Sequence, residues 1–173
     1  MDLMDLLGAA GADGSVEKLA GSVGIGTSEA QKMIGALAPA LTRGLQKQKE
    51  SGGGLDALQS ALAKGNHQRY VDEPELMQSE DTRQDGNKIL GHLFGSKDVS
   101  RNVAAQAAAE TGLDADLIKK ALPLVAGLAM GALSKKSDAG AGSGDSLGSL
   151  LGGMLGGGSG GIDDLLGMAK KLF

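Results

Sequence analysis

The side chains that most often do chemistry in proteins are sparse in this chain. It has two histidines, His67 and His92, and no cysteine. His67 is followed by Asp72, Glu73 and Glu75, but none of these carboxylates stands three or four residues from it, the helical spacing that brings metal ligands together. Two histidines also leave little for a set of nucleophile, base and orienting group. The sequence therefore predicts no catalytic residue, no metal site and no cofactor, and we expect a protein that is not an enzyme.

Two glycine-containing stretches imitate ligand-binding motifs. Residues 21–28 place glycines ahead of a Thr-Ser pair, as in a phosphate-binding loop, but the phosphate-contacting lysine is missing and no strand is predicted before it. Asp145 and Asp163 stand eighteen residues apart, twice the period of a calcium-binding nonapeptide repeat, but Met154 lies midway between them. We expect neither stretch to bind a ligand.

A pattern that appears twice, in residues 16–34 and 104–121, is more informative. In each copy a helix of small residues leads to a glycine, one apolar residue and an acidic helix start. A small residue four positions before the glycine and an apolar residue six positions after it is the spacing of a helix-turn-helix. The sequence therefore predicts two helix-turn-helix-like units in an all-α fold. Their key residues are Ala20, Gly24 and Ala30 in the first copy and Ala108, Gly112 and Ile118 in the second.

The chemistry of the second copy weakens the case for DNA binding. A recognition helix places its N-terminal residues beside phosphates, and here those residues are Asp114 and Asp116, whose carboxylates repel the DNA backbone. The rest of the helix is apolar nearly all round, which is typical of burial between helices. We expect helix packing and keep DNA binding as the alternative. Its candidate residues, which a solvated helix face explains as well, are Arg43, Lys47, Lys119, Lys120, Lys135 and Lys136.

Shifts in composition divide the chain into four parts. Residues 1–64 form a first helical unit, and residues 65–84 form a polar connection with a turn of helix after Pro74. Residues 85–136 form a second helical unit. Residues 137–173 form a tail rich in glycine and leucine that ends in a short amphipathic helix. Because strand signals are nearly absent, we expect a helical bundle of about seven or eight helices.

Capping residues and prolines indicate where helices begin and end. Asp114, and either Thr27 or Ser28, carry side-chain oxygens that suit a helix start. Gly95 suits a helix end. Pro39 lies inside an apolar helical run, and we expect it to kink the helix or to mark a break before the next residue.

Leucine-bearing amphipathic segments stand at both ends of the sequence, at residues 1–9 and at residues 147–173. We call residues 147–173 the leucine segment. Their apolar stripes either fold back onto the chain's own core or meet a partner, and the sequence leaves both outcomes open. We expect a protein partner or a homo-oligomer, and a non-enzymatic interaction or scaffold function. Lipid-surface binding has weaker support, from Lys170, Lys171 and Phe173 beside leucines. The candidate self-association residues are Leu147, Leu150, Leu151, Leu155, Leu165, Leu166 and Phe173.

Overall composition bounds the class of protein. The net charge is −4 and the isoelectric point about 5.1, which argues against a nucleic-acid partner. The N-terminus lacks the basic and apolar regions of a secretory signal. The longest apolar stretch, Ala121–Leu133, has about thirteen residues, short of the roughly 20 that span a bilayer. With no cysteine present, we expect a soluble cytoplasmic protein without a transmembrane segment.

A recognisable series of motifs begins with the run Asp85-Gly-Asn-Lys-Ile-Leu-Gly-His-Leu-Phe-Gly95. It is followed by a small-residue helix, by Thr111-Gly-Leu113, and by a long helix with Pro123 inside it. In this series residues 1–135 resemble the bacterial YidB-like proteins, the domain of unknown function family 937, and the tail also suits that family. The resemblance implies an all-helical bacterial protein with a homeodomain-like core, and it implies no catalytic residues.

Overall fold

The computed structural model describes residues 3–50, 60 and 64–139 of the chain. Every regular element in these ranges is a helix, which confirms the all-α prediction. The leucine segment and its candidate self-association residues lie outside the described residues. The helices are α1 (Leu3–Ala10), α2 (Asp13–Val23), α3 (Thr27–Glu50), α4 (Arg69–Asp72), a 3-10 helix (Pro74–Gln78), α5 (Glu80–Phe94), α6 (Lys97–Thr111) and α7 (Ala115–Ala139).

Helix α7 forms the centre of the core. It contacts each of the α-helices α1 to α6. All residues from 121 to 128 are buried, and Ile118 and Leu128 are wholly inaccessible. A helix that is apolar on all sides gains most from water exclusion when it is surrounded by other helices. The inward orientation predicted for this helix is therefore confirmed.

The length and composition of α7 also satisfy the criteria for a membrane span. Its segment Ala115–Lys136 has a mean hydropathy of 1.4 in its most apolar window, and 78% of that window is buried inside the fold. Central helices of soluble proteins meet the same criteria, so this property alone assigns no location.

Helix ends follow the predicted chemistry at two of three sites. Asp114 Oδ1 accepts hydrogen bonds from the amides of Asp116 at 2.7 Å and Leu117 at 3.4 Å, as a capping carboxylate does. Gly95 ends α5 in the left-handed region, with φ of 71°. The cap predicted at Thr27 or Ser28 is wrong, because α3 begins at Thr27. The residue ahead of it is a glycine, whose amide donates to Glu29 Oε2 at 3.0 Å.

Pro39 does not break its helix. Helix α3 continues from Thr27 to Glu50 through it, so the break, one of the two predicted outcomes, is wrong, and the kink stays a prediction. The proline leaves the carbonyl of Gly35, four residues earlier, without its helical amide partner. Both residues are exposed, and a carbonyl on an exposed face can bond to water instead. The break is therefore avoided at small cost.

The two repeated turns have the same backbone geometry at their glycines. Gly24 ends α2 with φ of 79°, and Gly112 ends α6 with φ of 74°. In each, the glycine amide donates to the carbonyl four residues earlier, at 2.9 Å. Glycine adopts left-handed φ values readily, whereas a side chain at Cβ makes them unfavourable for other residues. The sequence pattern thus identified both turns correctly.

The segment predicted as a polar connection packs into the core. Tyr70, Val71 and Met77 are buried there. The buried Ser15 of α2 donates to the carbonyl of Tyr70 at 2.8 Å. The turn of helix predicted after Pro74 is present as the 3-10 helix, and residues 80–84 already belong to α5. The division of the chain into four units stays a prediction, but this segment joins helices as part of the core.

Candidate functional site

The six basic residues proposed for DNA contact are spread over two helices. Lys119 and Lys120 lie near the start of α7, and Lys135 and Lys136 lie near its end, about 24 Å away at 1.5 Å per residue. Lys119 pairs with Asp116 at 2.9 Å, and Lys135 pairs with Asp72 of α4 at 2.6 Å. Arg43 and Lys47 are exposed on α3. The four lysines of α7 therefore lie in two separate groups, one near each end of the helix. Their role in DNA binding stays a prediction.

A groove of about 490 Å³ opens between α5, α6 and α7. The left-handed turn at Gly95 leads directly from α5 into α6, whose N-cap Ser96 accepts the amide of Val99 at 3.3 Å. This short connection sets the start of α6 beside the end of α5, and Lys119 lines the groove from α7. The floor is made by the buried Leu90, Leu122 and Pro123. The polar rim consists of Asn87, Ser96, Lys97, Ser100, Arg101 and Lys119.

The cations of this rim are only weakly engaged. Arg101 pairs with Asp98 at 3.2 Å and Lys119 pairs with Asp116, each within one turn of its own helix. The hydrogen bond from Lys119 lowers the pKa of Asp116 below its ordinary value. Lys97 makes no ion pair within the part of the chain that the structure describes. Water screens exposed pairs of this kind and leaves them weak, so these cations can exchange their aspartate partners for another anion.

Sequence reasoning found one of the three rim cations. It named Lys119 but missed Lys97 and Arg101. These two stand four residues apart, a spacing that places them on one face of a helix. That signal was visible in the sequence, whereas their proximity to Lys119 depends on the packing of α6 against α7.

Close helix packing holds the groove walls together. An ideal Cβ on Gly86 of α5 would lie 1.9 Å from the carbonyl oxygen of Pro123 in α7. Only glycine allows the two backbones to approach this closely. The glycine in the run Asp85-Gly86-Asn87 therefore sets the distance between α5 and α7, and with it the position of the groove floor.

A second polar cluster joins α4 to α5. The Tyr70 hydroxyl, on a buried side chain, donates a hydrogen bond to the Asp85 carboxylate. Arg69 Nη2 donates to Tyr70 Oη at 3.0 Å and to Asp85 Oδ2 at 3.3 Å. Lys88 Nζ reaches the other Asp85 oxygen at 3.5 Å. The carboxylate thus accepts from three side chains and fixes α4 on α5.

The ionisation of this cluster is set by burial and by these bonds. Burial raises the pKa of the Tyr70 hydroxyl above its ordinary value, and the hydrogen bond to Asp85 adds to the rise. Burial acts to raise the pKa of Asp85 too, but the hydrogen bonds from Tyr70 and Lys88, with the charges of Lys88 and Arg69, outweigh it. The pKa of Asp85 therefore lies below its ordinary value, and the carboxylate is ionised at neutral pH.

Acid should weaken the fold through Asp85. A carboxyl whose pKa is lower in the folded state stabilises the fold above its unfolded pKa, and that stability is lost as the pH falls through the folded value, so below about pH 4. We expect Asp85→Asn to flatten the acid limb of a plot of unfolding free energy against pH, measured with urea between about pH 2 and 6. Asp81→Asn, an exposed change in the same helix, is the control. An unchanged acid limb in Asp85→Asn would refute this role.

The histidines and the glycine loop occupy ordinary structural positions. His92 is exposed on α5, as predicted, and His67 is buried with its ring 5.9 Å from that of Tyr70. Residues 21–28 form the end of α2, the turn and the start of α3. Within the described ranges, no three histidine, aspartate or glutamate side chains lie close enough together to hold a metal ion.

In the part of the chain that the structure describes, these features define an all-helical fold whose central apolar helix is enclosed by shorter amphipathic ones. The chain matches a family described as bacterial protein of unknown function (DUF937) over residues 5–136. It belongs to that family, which confirms the resemblance drawn from the sequence. No curated protein and no solved structure matches the chain.

Proposed function

We propose that this protein is a non-enzymatic helical interaction or scaffold protein that self-associates through the leucine segment. The supporting observation is how little apolar surface the folded body offers to a partner. Among the described residues, Val99 is the one large hydrophobic side chain that is exposed, at 41%. A stable interface needs a buried apolar centre. The leucines after residue 146 are the richest remaining source of such side chains in the sequence.

Of the two leucine-bearing ends, the N-terminal one is already used by the fold. Leu3, Leu6 and Leu7 of α1 are each no more than 3% exposed, and α1 packs on α3 and α7. Its leucines therefore stabilise the monomer. The proposed interface rests on the C-terminal end alone, where Leu147, Leu150, Leu151 and Leu155 recur at the spacing of one helix face.

The helix-turn-helix-like assignment of the two turns is part of this proposal. It is supported by the matching geometry of Gly24 and Gly112. The proposed role of both units is packing, since α7 buries its middle and presents the exposed carboxylates of Asp114 and Asp116 at its start. DNA binding through these units is the weaker alternative, because the same carboxylates would face the phosphates.

Removing two leucines should dissociate the assembly. We expect light scattering on the full chain to give a mass above the monomer value of 17.3 kDa, and Leu150→Asn with Leu151→Asn to return it to that value. Each buried leucine contributes roughly 1.5–3 kcal/mol, so the pair should weaken association by about a hundredfold or more.

The matched control replaces two polar residues of the same stretch, Ser146→Asn with Ser149→Asn, and should leave the mass unchanged. A monomeric mass for the unmodified chain at all concentrations would contradict the proposal. Equal loss of association in the control pair would contradict it too.

A further inference from the structure

The groove between α5, α6 and α7 has the features of a binding site for an organic anion. We propose that it binds a phosphomonoester. The phosphate contacts Lys97, Arg101 and Lys119 on the rim, and the organic part lies on Leu90 and Leu122 of the floor. None of these residues belongs to the leucine segment, and the proposal does not rest on self-association.

The charge of the rim fits a doubly ionised phosphate. The rim supplies a guanidinium and two ammonium groups, and a guanidinium fork donates two parallel hydrogen bonds to phosphate oxygens. The Ser96 hydroxyl, which accepts the amide of Val99, adds one neutral donor through its own O–H. A phosphomonoester carries nearly two negative charges at neutral pH, so it attracts these cations more strongly than a single carboxylate does.

The existing partners of the cations leave them available. The side chains of Arg101 and Asp98 are 67% and 85% exposed, and those of Lys119 and Asp116 are 48% and 80% exposed. Water screens such pairs, so exchanging the aspartate for a phosphate costs little. Lys97 has no such partner to give up within the described residues.

The shape of the groove favours an organic phosphate over the bare ion. Its volume of about 490 Å³ lies in the range of small-molecule sites, roughly 300–1,000 Å³. The buried Leu90 and Leu122 give it an apolar floor beneath a charged rim. An aromatic or aliphatic group attached to the phosphate would contact this floor and the methylene stems of Lys97, Arg101 and Lys119, and it would exclude water from those stems.

The test is a calorimetric titration of the full chain with phenyl phosphate at low ionic strength. We expect saturable binding of one ligand per chain, and at least a tenfold loss of affinity in Arg101→Gln, as expected for a hydrogen bond between charged groups. Arg83→Gln is the matched control, because Arg83 is an exposed α5 arginine that pairs with Glu80 one turn earlier, at 3.4 Å. It should bind like the unmodified chain. Unchanged thermal unfolding of both variants shows that they are folded.

Further titrations identify the source of the phosphate. Inorganic phosphate should bind more weakly than phenyl phosphate, because it makes no apolar contact with the floor or with the methylene stems of the rim. Vesicles of phosphatidylcholine with and without phosphatidic acid present the same group on a lipid. If phenyl phosphate or the phosphatidic acid vesicles bind, and that binding is lost in Arg101→Gln, the site is supported and the source of the phosphate is identified. The proposal is overturned if neither phosphomonoester binds, or if Arg83→Gln loses as much affinity as Arg101→Gln. It is also overturned if inorganic phosphate binds as tightly as phenyl phosphate.

Discussion

Replacing Gly86 by alanine should destabilise the protein by about 3 kcal/mol or more, the upper range for overpacking a closely packed interior. The added Cβ would lie 1.9 Å from the carbonyl oxygen of Pro123 and 2.4 Å from its carbonyl carbon. These are backbone atoms of α7, which cannot rotate away as a side chain can. Helices α5 and α7 would have to move apart, and the buried contacts between them would be lost.

Gly91 provides the control within the same helix. A Cβ built on Gly91 meets nothing within 4 Å. Gly91→Ala should therefore stabilise the protein by up to about 1 kcal/mol, because alanine has the higher helix propensity. Urea unfolding of both variants measures the difference. A Gly86→Ala variant as stable as the unmodified chain would show that α5 and α7 do not approach as described.

Truncating Tyr70 should have a comparable effect. Its side chain is wholly inaccessible to solvent, and removing a buried aromatic ring costs about 3–5 kcal/mol. We expect Tyr70→Ala to lose that amount in urea unfolding. Tyr70→Phe keeps the ring but removes the hydrogen bond to the Asp85 carboxylate, and it should lose about 1–3 kcal/mol.

Glu73→Ala is the control for both tyrosine variants, because Glu73 is exposed in the same segment. It should change stability by no more than about 0.5 kcal/mol. If Tyr70→Ala lost no more unfolding free energy than this control, residues 65–84 would be the polar connection that their sequence predicts. The burial of Tyr70 in the core would then be contradicted.

Local signals in the sequence predicted much of the helical fold. Asp114 and Gly95 mark helix ends by chemistry that acts within one turn, and the apolar run after Ile118 predicted a buried helix. These features depend on residues close together in the chain. The helix start near Thr27 was also placed correctly, although the capping residue was not.

The segment around Tyr70 was missed because its partners are distant in sequence. Tyr70 meets Asp85 fifteen residues later and Ser15 fifty-five residues earlier. Its neighbours in the chain are mostly polar, so a local pattern indicates a surface connection. Burial of the aromatic ring follows from tertiary contacts that a linear pattern does not contain.

The groove could be predicted only in part for the same reason. Lys97 and Arg101 share a helix face by spacing, but Lys119 joins them from another helix. Likewise Gly86 and Gly91 look alike in the sequence, and only the position of Pro123 distinguishes the packed glycine from the open one. A set of residues from three helices becomes a site only when those helices are packed.

The central claim is that α7 stabilises the monomer while the leucine segment carries the interaction. Amide hydrogen exchange of the full chain, followed by mass spectrometry while protein concentration is raised about a hundredfold, tests both parts because association follows mass action. We predict slow exchange in peptides covering residues 118–133 at every concentration, and protection that rises with concentration in peptides covering residues 147–173. Fast exchange in the first region, or exchange independent of concentration in the second, would contradict the account.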